Sequence, residues 1–177
     1  MMRPARWSQW RALRMALTAI LAAASAYLVQ RSVLSPRNEV SGQARVIDGD
    51  SLTIGSRQVR IKGIDAPEGR QVCTRDGREW ACGEAAADAL RALVAGKSVT
   101  CRIESDDRFR RGLGHCFAGR INLGEAMVES GFAVGYGEYL TEEQDARAAR
   151  RGLWSGTFER PRDWRRAHMP EQRDPHR

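Results

Sequence analysis

Short runs that mix apolar and polar residues follow residue 42, and such runs are typical of strands. Residues 43–47 predict a strand that continues at 52–54 past a Gly-containing kink. The dipeptide Gly55-Ser56 predicts a tight turn into a further strand at 57–62. The pattern therefore predicts an antiparallel meander at the start of the folded region.

A helical pattern follows the charged loop at residues 69–83. It lies in GEAAADALRALVAGK, where Gly96 is expected to end the helix. The apolar positions at helical spacing are Ala86, Leu90, Leu93 and Val94. Two more strands are predicted at 98–103 and 113–117, with the charged segment ESDDRFRRG between them.

Helical signals return in the last third of the chain. Asn122 can cap a short helix that ends before Gly131, and Thr-Glu-Glu-Gln at 141–144 is a capping-box pattern for a third helix ending at Arg151. The final stretch, FERPRDWRRAHMPEQRDPHR, is rich in Arg and Pro and is expected to extend over the surface or fray.

This element order predicts the fold. Five strands interrupted by one helix and followed by two more helices are typical of a small, partly open Greek-key barrel. We therefore predict an α+β, mainly β fold: a five-stranded OB-fold barrel with three helices. Another α+β arrangement is the alternative. The predicted division is a signal or anchor at 1–31, a linker at 32–41, the OB-fold domain at 42–158 and a basic tail at 159–177.

The N-terminus has the pattern of an export signal. An Arg-bearing start leads into the apolar residues 15–29, a stretch shorter than the roughly 18 to 20 residues that span a bilayer comfortably. Ala24-Ser25-Ala26 would serve as a cleavage site, but the apolar run continues to Val29, so an uncleaved membrane anchor is the alternative. Either way, the positive-inside rule places the domain outside: secreted, periplasmic, or anchored and facing outward.

Charge and length restrict the possible partners and the number of domains only slightly. The 177-residue chain carries +7, but four arginines and no acidic residue occupy its first 26 positions, which leaves +3 for the remainder. Such a charge permits an anionic partner such as nucleic acid without requiring one. The length fits one domain with a real core, which we expect to be a monomer.

Cysteine usage supports export independently. No pair has the close Cys-x-x-Cys spacing of a zinc ribbon or redox motif, so two disulfides are the simplest interpretation. Three pairings are possible among four cysteines. Local geometry favours Cys73 with Cys82 across a Gly-containing loop and Cys101 with Cys116 across neighbouring strands. Buried free thiols are the alternative.

Carboxylates gather in two segments, VIDGDS and VRIKGIDAPEGR, at two adjacent strand ends. Crowded carboxylates repel one another unless a cation or nearby arginines compensate them. Asp50, Asp65 and the backbone carbonyl of Ala66 could offer the oxygen ligands that calcium prefers, and no nearby pair of His or Cys favours zinc. Taken singly, each segment could be an ordinary turn.

Arginines accompany these carboxylates. Arg60 lies five residues before Asp65, and the loop carrying Arg108, Arg110 and Arg111 could be brought beside them by the meander. A cation with paired guanidinium groups suits a phosphate, and a spare carboxylate, Glu68, could position or deprotonate water. The set is sufficient for phosphodiester hydrolysis.

The segments resemble a known family in order and spacing. VIDGDS, VRIKGIDAPE, GEAAADALRALV, DRFRRGLG and INLGEAMVESGFA are similar to the staphylococcal nuclease (thermonuclease) family over roughly residues 43 to 154. The resemblance implies an OB-fold, one calcium ion, and cleavage of DNA and RNA to products with 3′-phosphates. It implies that Asp50, Asp65 and the Ala66 carbonyl bind calcium and that Glu68 is the general base.

The resemblance also implies two phosphate-binding arginines. Arg60 matches the first. The family pattern Asp, basic residue, Tyr, Gly, Arg, Gly meets Asp-Arg-Phe-Arg-Arg-Gly at residues 107–112, and register selects Arg111 over Arg110 as the second. Arg110 replaces the flexible glycine of the family, which puts the turn geometry in question.

Further roles follow from the same resemblance. Tyrosines that stack on the substrate are implied at Tyr139, which is in register, and at Tyr136, because Gly137 occupies the other expected position; packing at the edge of the core is the alternative for both. Asp48 is expected to hydrogen-bond near the metal. The alternative functions are a non-catalytic OB-fold module that binds single-stranded nucleic acid and a disulfide-stapled envelope domain.

Overall fold

The computed structural model of the chain describes residues 38–168 together with 15–17, 20–21 and 24–25. Most of the predicted signal or anchor segment and linker, and the end of the tail, lie outside the described residues. The chain divides into two units, Met1–Arg37 and Asn38–Arg177. In the first, the residues described are helical. None of the described helices has the length and apolar character needed to cross a membrane.

Over residues 38–168, the second unit contains short strands and four α-helices. The strands are β1 (Glu39–Val46), β2 (Ser51–Ile54), β3 (Arg57–Ile61), β4 (Ile64–Asp65), β5 (Cys73–Arg75), β6 (Arg78–Trp80), β7 (Ser98–Asp106), β8 (Gly112–Ala118), β9 (Ile121–Asn122) and β10 (Val134–Gly135). The helices are α1 (Cys82–Val94), α2 (Leu123–Glu129), α3 (Leu140–Ala148) and α4 (Pro161–His168), with a 3-10 turn at Gly152–Ser155.

A closed barrel is formed by five of these strands, β1, β2, β3, β7 and β8. The order in the sheet is β3-β2-β1-β7-β8-β9, and a parallel pairing of β3 with β8 closes the barrel, so that β9 lies outside it. Gly114 permits the tight packing between β8 and β7, since a Cβ there would lie 2.1 Å from the carbonyl oxygen of Arg102. The predicted mainly β, OB-type barrel is confirmed.

The core lies between the barrel and the helices. Its fully buried side chains include Leu52, Val59, Leu90, Leu123 and Met127, which come from two strands and two helices. Apolar positions of α1 that recur every three or four residues face this core, as the sequence pattern predicted.

Both predicted disulfides are present. Cys73 is bonded to Cys82, which joins the β5–β6 hairpin to the start of α1. Cys101 is bonded to Cys116 between directly opposed positions of β7 and β8. The pairing inferred from local geometry is confirmed, and the alternative of free thiols is wrong.

Three local expectations are corrected. Residues 52–54 do not continue the first strand: the chain reverses at residues 47–51, where the amide of Ile47 donates to the carbonyl of Ser51 at 2.9 Å, and β2 runs antiparallel to β1. The capping box at 141–144 is not formed, because α3 already begins at Leu140 after Tyr139, which has φ of 57° and makes no side-chain cap.

The third correction concerns the tail. Residues 161–168, expected to be extended or frayed, form α4. Pro161 is buried at its first position, where the missing N–H costs nothing, and Arg166 donates to Asp163 three residues earlier. The helix also contacts Asp65 and Glu68 through Arg165.

Candidate active site

The Asp-Gly-Asp turn fixes the first acidic side chain of the site. The Asp48 carboxylate accepts a hydrogen bond from the amide of Asp50 at 3.0 Å, which holds the turn and directs Asp50 inward at the start of β2. Gly49 is required by packing, since a Cβ there would lie 2.7 Å from the Cβ of Ala66 and 2.8 Å from that of Ala86. Asp48 therefore supports the site through the backbone.

The second acidic segment lies against the first. Asp65 is at the end of β4, which pairs with β10 through Val134. The next amide, that of Ala66, donates to Oδ2 of Asp50 at 3.0 Å. Both carboxylates are almost fully buried, Asp50 at 2% and Asp65 at 4% exposure. The two strand ends thus bring the carboxylates together, as their order in the chain suggested.

Arg60 compensates this buried charge. Its Nη1 donates to Oδ1 of Asp50 at 2.9 Å, and its Nη2 donates to Oδ1 of Asp65 at 2.8 Å. Burial raises the pKa of Asp50. Burial alone would lower the pKa of Arg60, but the charges of Asp50 and Asp65 outweigh it and raise that pKa. The guanidinium therefore stays charged.

Glu68 lies beside Asp65 and has a partner that sequence reasoning missed. Nη1 of Arg165, on α4, lies 2.9 Å from Oε1 of Glu68 and 2.9 Å from Oδ1 of Asp65. Burial would lower the pKa of Arg165, but its hydrogen bonds and ion pairs with Asp65 and Glu68 raise it. Three carboxylates thus share two guanidinium groups.

The loop at 107–111 presents the remaining predicted arginine. Asp107 accepts hydrogen bonds from the amide of Arg111 at 3.0 Å and from its Nε at 2.7 Å. Burial would raise the pKa of Asp107, but these bonds and one from the amide of Phe109 lower it. Arg110 has φ of 64°, the left-handed conformation that glycine adopts most easily. The turn is therefore formed despite the missing glycine.

A cleft of about 910 Å³ is lined by Arg60, Asp65, Glu68 and Arg165. Arg111 lines it, and Arg110 is not among its lining residues. Tyr136 also lines it, with 61% of its surface exposed. Tyr139 does not: its hydroxyl accepts from Nδ2 of Asn122 at 3.1 Å, and its ring packs against the core.

The donor set fits a hard cation by its chemistry. Asp50, Asp65 and the carbonyl of Ala66 are oxygen donors of the kind calcium takes. In the arrangement described, however, arginines balance the carboxylates, and the described residues include no group of three or more His, Cys, Asp or Glu side chains placed to hold a metal ion. The oxygens of Asp50 and Asp65 that a cation would use already accept hydrogen bonds from Arg60 and Arg165.

Further residues line the cleft that were not predicted from the sequence to be part of the site. They include Lys62, Phe109, Glu138, Arg162 and Arg165. A signal existed for the last two: they are three residues apart, the spacing of one helix face, and Pro161 suits a first helical position. Nothing in the sequence indicated that this face would meet residues about one hundred positions earlier.

A barrel of this kind, with buried carboxylates and arginines lining one cleft, has the architecture of a phosphodiester hydrolase of the thermonuclease type. Residues 58–156 match the family described as Staphylococcal nuclease homologue. Succinoglycan biosynthesis protein ExoI of Rhizobium meliloti (strain 1021) is 34% identical over 147 residues, covering 78% of this chain and 77% of that protein. The chain belongs to the staphylococcal nuclease family.

Two further relatives show the range of the family. The probable staphylococcal-like nuclease CAN3 of Oryza sativa subsp. japonica is 31% identical over 150 residues, covering 81% of this chain but 37% of the rice protein. An uncharacterized endonuclease of Escherichia coli O157:H7 is 37% identical over 122 residues, covering 63% of this chain and 74% of that protein.

Proposed function

We propose that this protein is a calcium-dependent nuclease that hydrolyses phosphodiester bonds of DNA and RNA and leaves 3′-phosphate ends. The observation that carries the proposal is the position of Arg60, whose guanidinium lies between the buried carboxylates of Asp50 and Asp65 and lines the cleft. A phosphate in this cleft would meet positive charge held at fixed positions.

The proposed calcium ligands are Asp50, Asp65 and the backbone carbonyl of Ala66. A bound calcium would supply positive charge against a phosphate oxygen. The hydrogen bonds from Ser51 and from the Ala66 amide to Asp50 fix the orientation of that carboxylate at 3.0 Å each. Neither bond involves Arg165, since both donors belong to the barrel and its adjoining loop.

Arg60 and Arg111 are the proposed phosphate-binding groups. Guanidinium groups bind phosphate oxygens with paired hydrogen bonds, and both residues line the cleft. Asp107 holds Arg111 through Nε and leaves its two terminal nitrogens free of that contact. Charge that develops on the phosphate during attack would be stabilised by donors already in position.

Glu68 is the proposed general base. Its carboxylate would accept a proton from the attacking water, the water oxygen would bond to phosphorus, and the bond from phosphorus to O5′ would break. The phosphate then remains on the 3′ side and the leaving O5′ takes a proton. Glu68 is 21% exposed, which leaves it accessible to water.

Tyr136 is proposed to contact a base or sugar, because it is exposed at the cleft. We propose that the protein acts outside the cytoplasm as a monomer, secreted, periplasmic or held by its N-terminal segment. Two disulfides support an oxidising compartment.

Digestion of labelled single-stranded DNA and RNA by the full chain tests the proposal. We expect cleavage in calcium, none in chelator, and recovery when calcium is restored. Glu68→Gln should lose activity, whereas the control Glu125→Gln, at an exposed site on α2, should keep it. Binding of the same DNA without cleavage in any condition would instead favour the non-catalytic nucleic-acid-binding module.

A further inference from the structure

The tail helix α4 places an arginine among the acidic side chains of the cleft. Nη2 of Arg165 donates to Oδ2 of Asp65 at 3.1 Å, while Nη1 contacts both Asp65 and Glu68 at 2.9 Å. The side chain is 24% exposed, so most of it is enclosed. One guanidinium therefore bridges a proposed calcium ligand and the proposed general base.

The start of the tail is fixed to the same part of the barrel. Gln71, which is fully buried, donates from Nε2 to the carbonyl of Glu159 at 2.7 Å. The Oε1 atom of Gln71 accepts from the amide of Glu68 at 3.3 Å. Arg160 also donates to the buried Glu143 at 3.1 Å. The tail is thus anchored before α4 begins, through contacts that do not involve Arg165.

The contacts of Arg165 conflict with the proposed reaction. The guanidinium at 2.9 Å occupies Oε1 of Glu68, one of the two oxygens through which a general base could accept a proton. Calcium would need oxygens of Asp65, and both already accept hydrogen bonds from Arg165 or Arg60. Two cations close to the same carboxylates would also repel each other.

We propose that Arg165 is an internal cation that closes the site, and that calcium and Arg165 compete for Asp65 and Glu68. The inference rests on the proposed calcium site. Calcium binding then displaces Arg165, loosens α4 and frees the Oε1 atom of Glu68. The apparent calcium Kd of the wild-type protein then equals the intrinsic Kd divided by the fraction of molecules in which Arg165 has left the site.

Calcium titration calorimetry on the full chain tests the competition without relying on activity. Arg165→Met removes the charge and keeps an apolar stem, and we expect its calcium Kd to be about tenfold tighter than wild type, as for a site that is open about a tenth of the time. Arg166→Met is the matched control: it removes the same charge from an exposed neighbour on α4, and its Kd should stay close to wild type. Equal Kd values for wild type and Arg165→Met would overturn the proposal.

Hydrogen exchange of residues 161–168, followed by mass spectrometry, separates displacement from a general charge effect. We expect calcium to accelerate exchange of α4 in wild type, because its contact with the barrel is lost. Unchanged exchange on calcium binding would overturn the competition even if Arg165→Met bound more tightly. If no variant binds calcium, the calcium site and the competition both fail; if wild type and variant bind equally, only the competition fails.

Discussion

Arg60, which lines the cleft, donates a hydrogen bond from Nη1 to Oδ1 of the buried Asp50 at 2.9 Å. We expect Arg60→Ala to lower kcat by about 10² to 10³, the effect of losing one fixed donor to the transition state. Stability should fall by about 3–5 kcal/mol, because a buried carboxylate loses its partner. Single-turnover kinetics and urea unfolding measure the two effects.

The control for that substitution is Arg57→Ala on the same strand. Arg57 pairs with Asp106 at the surface, and its side chain is 39% exposed. Such pairs contribute about 0–1 kcal/mol, so both activity and stability should change little. Equal losses in the two variants would show that the effect of Arg60 is not specific to the buried carboxylates.

Gly83 packs closely against the backbone of Glu68. A Cβ at this position of α1 would come within 1.8 Å of the carbonyl oxygen of Glu68. Gly83→Ala should therefore push the Glu68 segment away, with a loss of activity and about 1–3 kcal/mol of stability. Gly69→Ala, where a Cβ would meet nothing within 4 Å, is the control and should behave as wild type. A fully active Gly83→Ala would contradict the placement of Glu68 as base.

We expect substitutions of Tyr136 and Tyr139 to affect different quantities, KM for Tyr136 and stability for Tyr139. Tyr136→Ala should raise KM for single-stranded DNA by about 5- to 100-fold, the range for loss of one base-stacking contact, with its stability near wild type. Tyr139→Phe removes the hydroxyl bonded to Asn122 and should cost about 1 kcal/mol of stability with KM unchanged. If Tyr139→Phe raised KM and Tyr136→Ala did not, Tyr139 and not Tyr136 would be the residue that contacts the substrate.

Asp107 makes the arginine loop sensitive to acid. Its pKa is lower in the folded protein than in the unfolded chain, so its contribution is complete above about pH 4 and is lost as pH falls through the folded pKa. The free energy of unfolding of wild type minus that of Asp107→Asn should thus be constant near neutral pH and shrink in acid. A difference that grew as pH fell would contradict a lowered pKa of Asp107 in the folded protein.

Much of the barrel could be predicted because its signals are local. The turn at Gly55, the helical spacing of Leu90 and Val94, and the capping side chain of Asn122 each act within a few residues. The pairing of Cys101 with Cys116 also follows from neighbouring strands. Each signal acts through short-range geometry, which a single sequence contains.

The parts that were missed depend on contacts distant in sequence. The capping box at 141–144 was predicted from local spacing, but the helix begins one residue before it, at Leu140, and Glu143 inside the helix is buried and accepts from the amide of Gly135 at 2.6 Å. Arg165 belongs to a charged segment with few apolar residues, which alone suggests a solvated tail. Its carboxylate partners become available only after the barrel brings Asp65 and Glu68 together.

The most direct test of the central claim is the end chemistry of the products. A 5′-labelled single-stranded DNA would be digested by the full chain in calcium, and the fragments compared before and after treatment with a phosphatase that removes 3′-phosphates. The expected result is calcium-dependent fragments whose mobility shifts on phosphatase treatment. Fragments that end in 3′-hydroxyl, or cleavage that persists in chelator, would contradict the proposed roles of Glu68, the arginines and the cation.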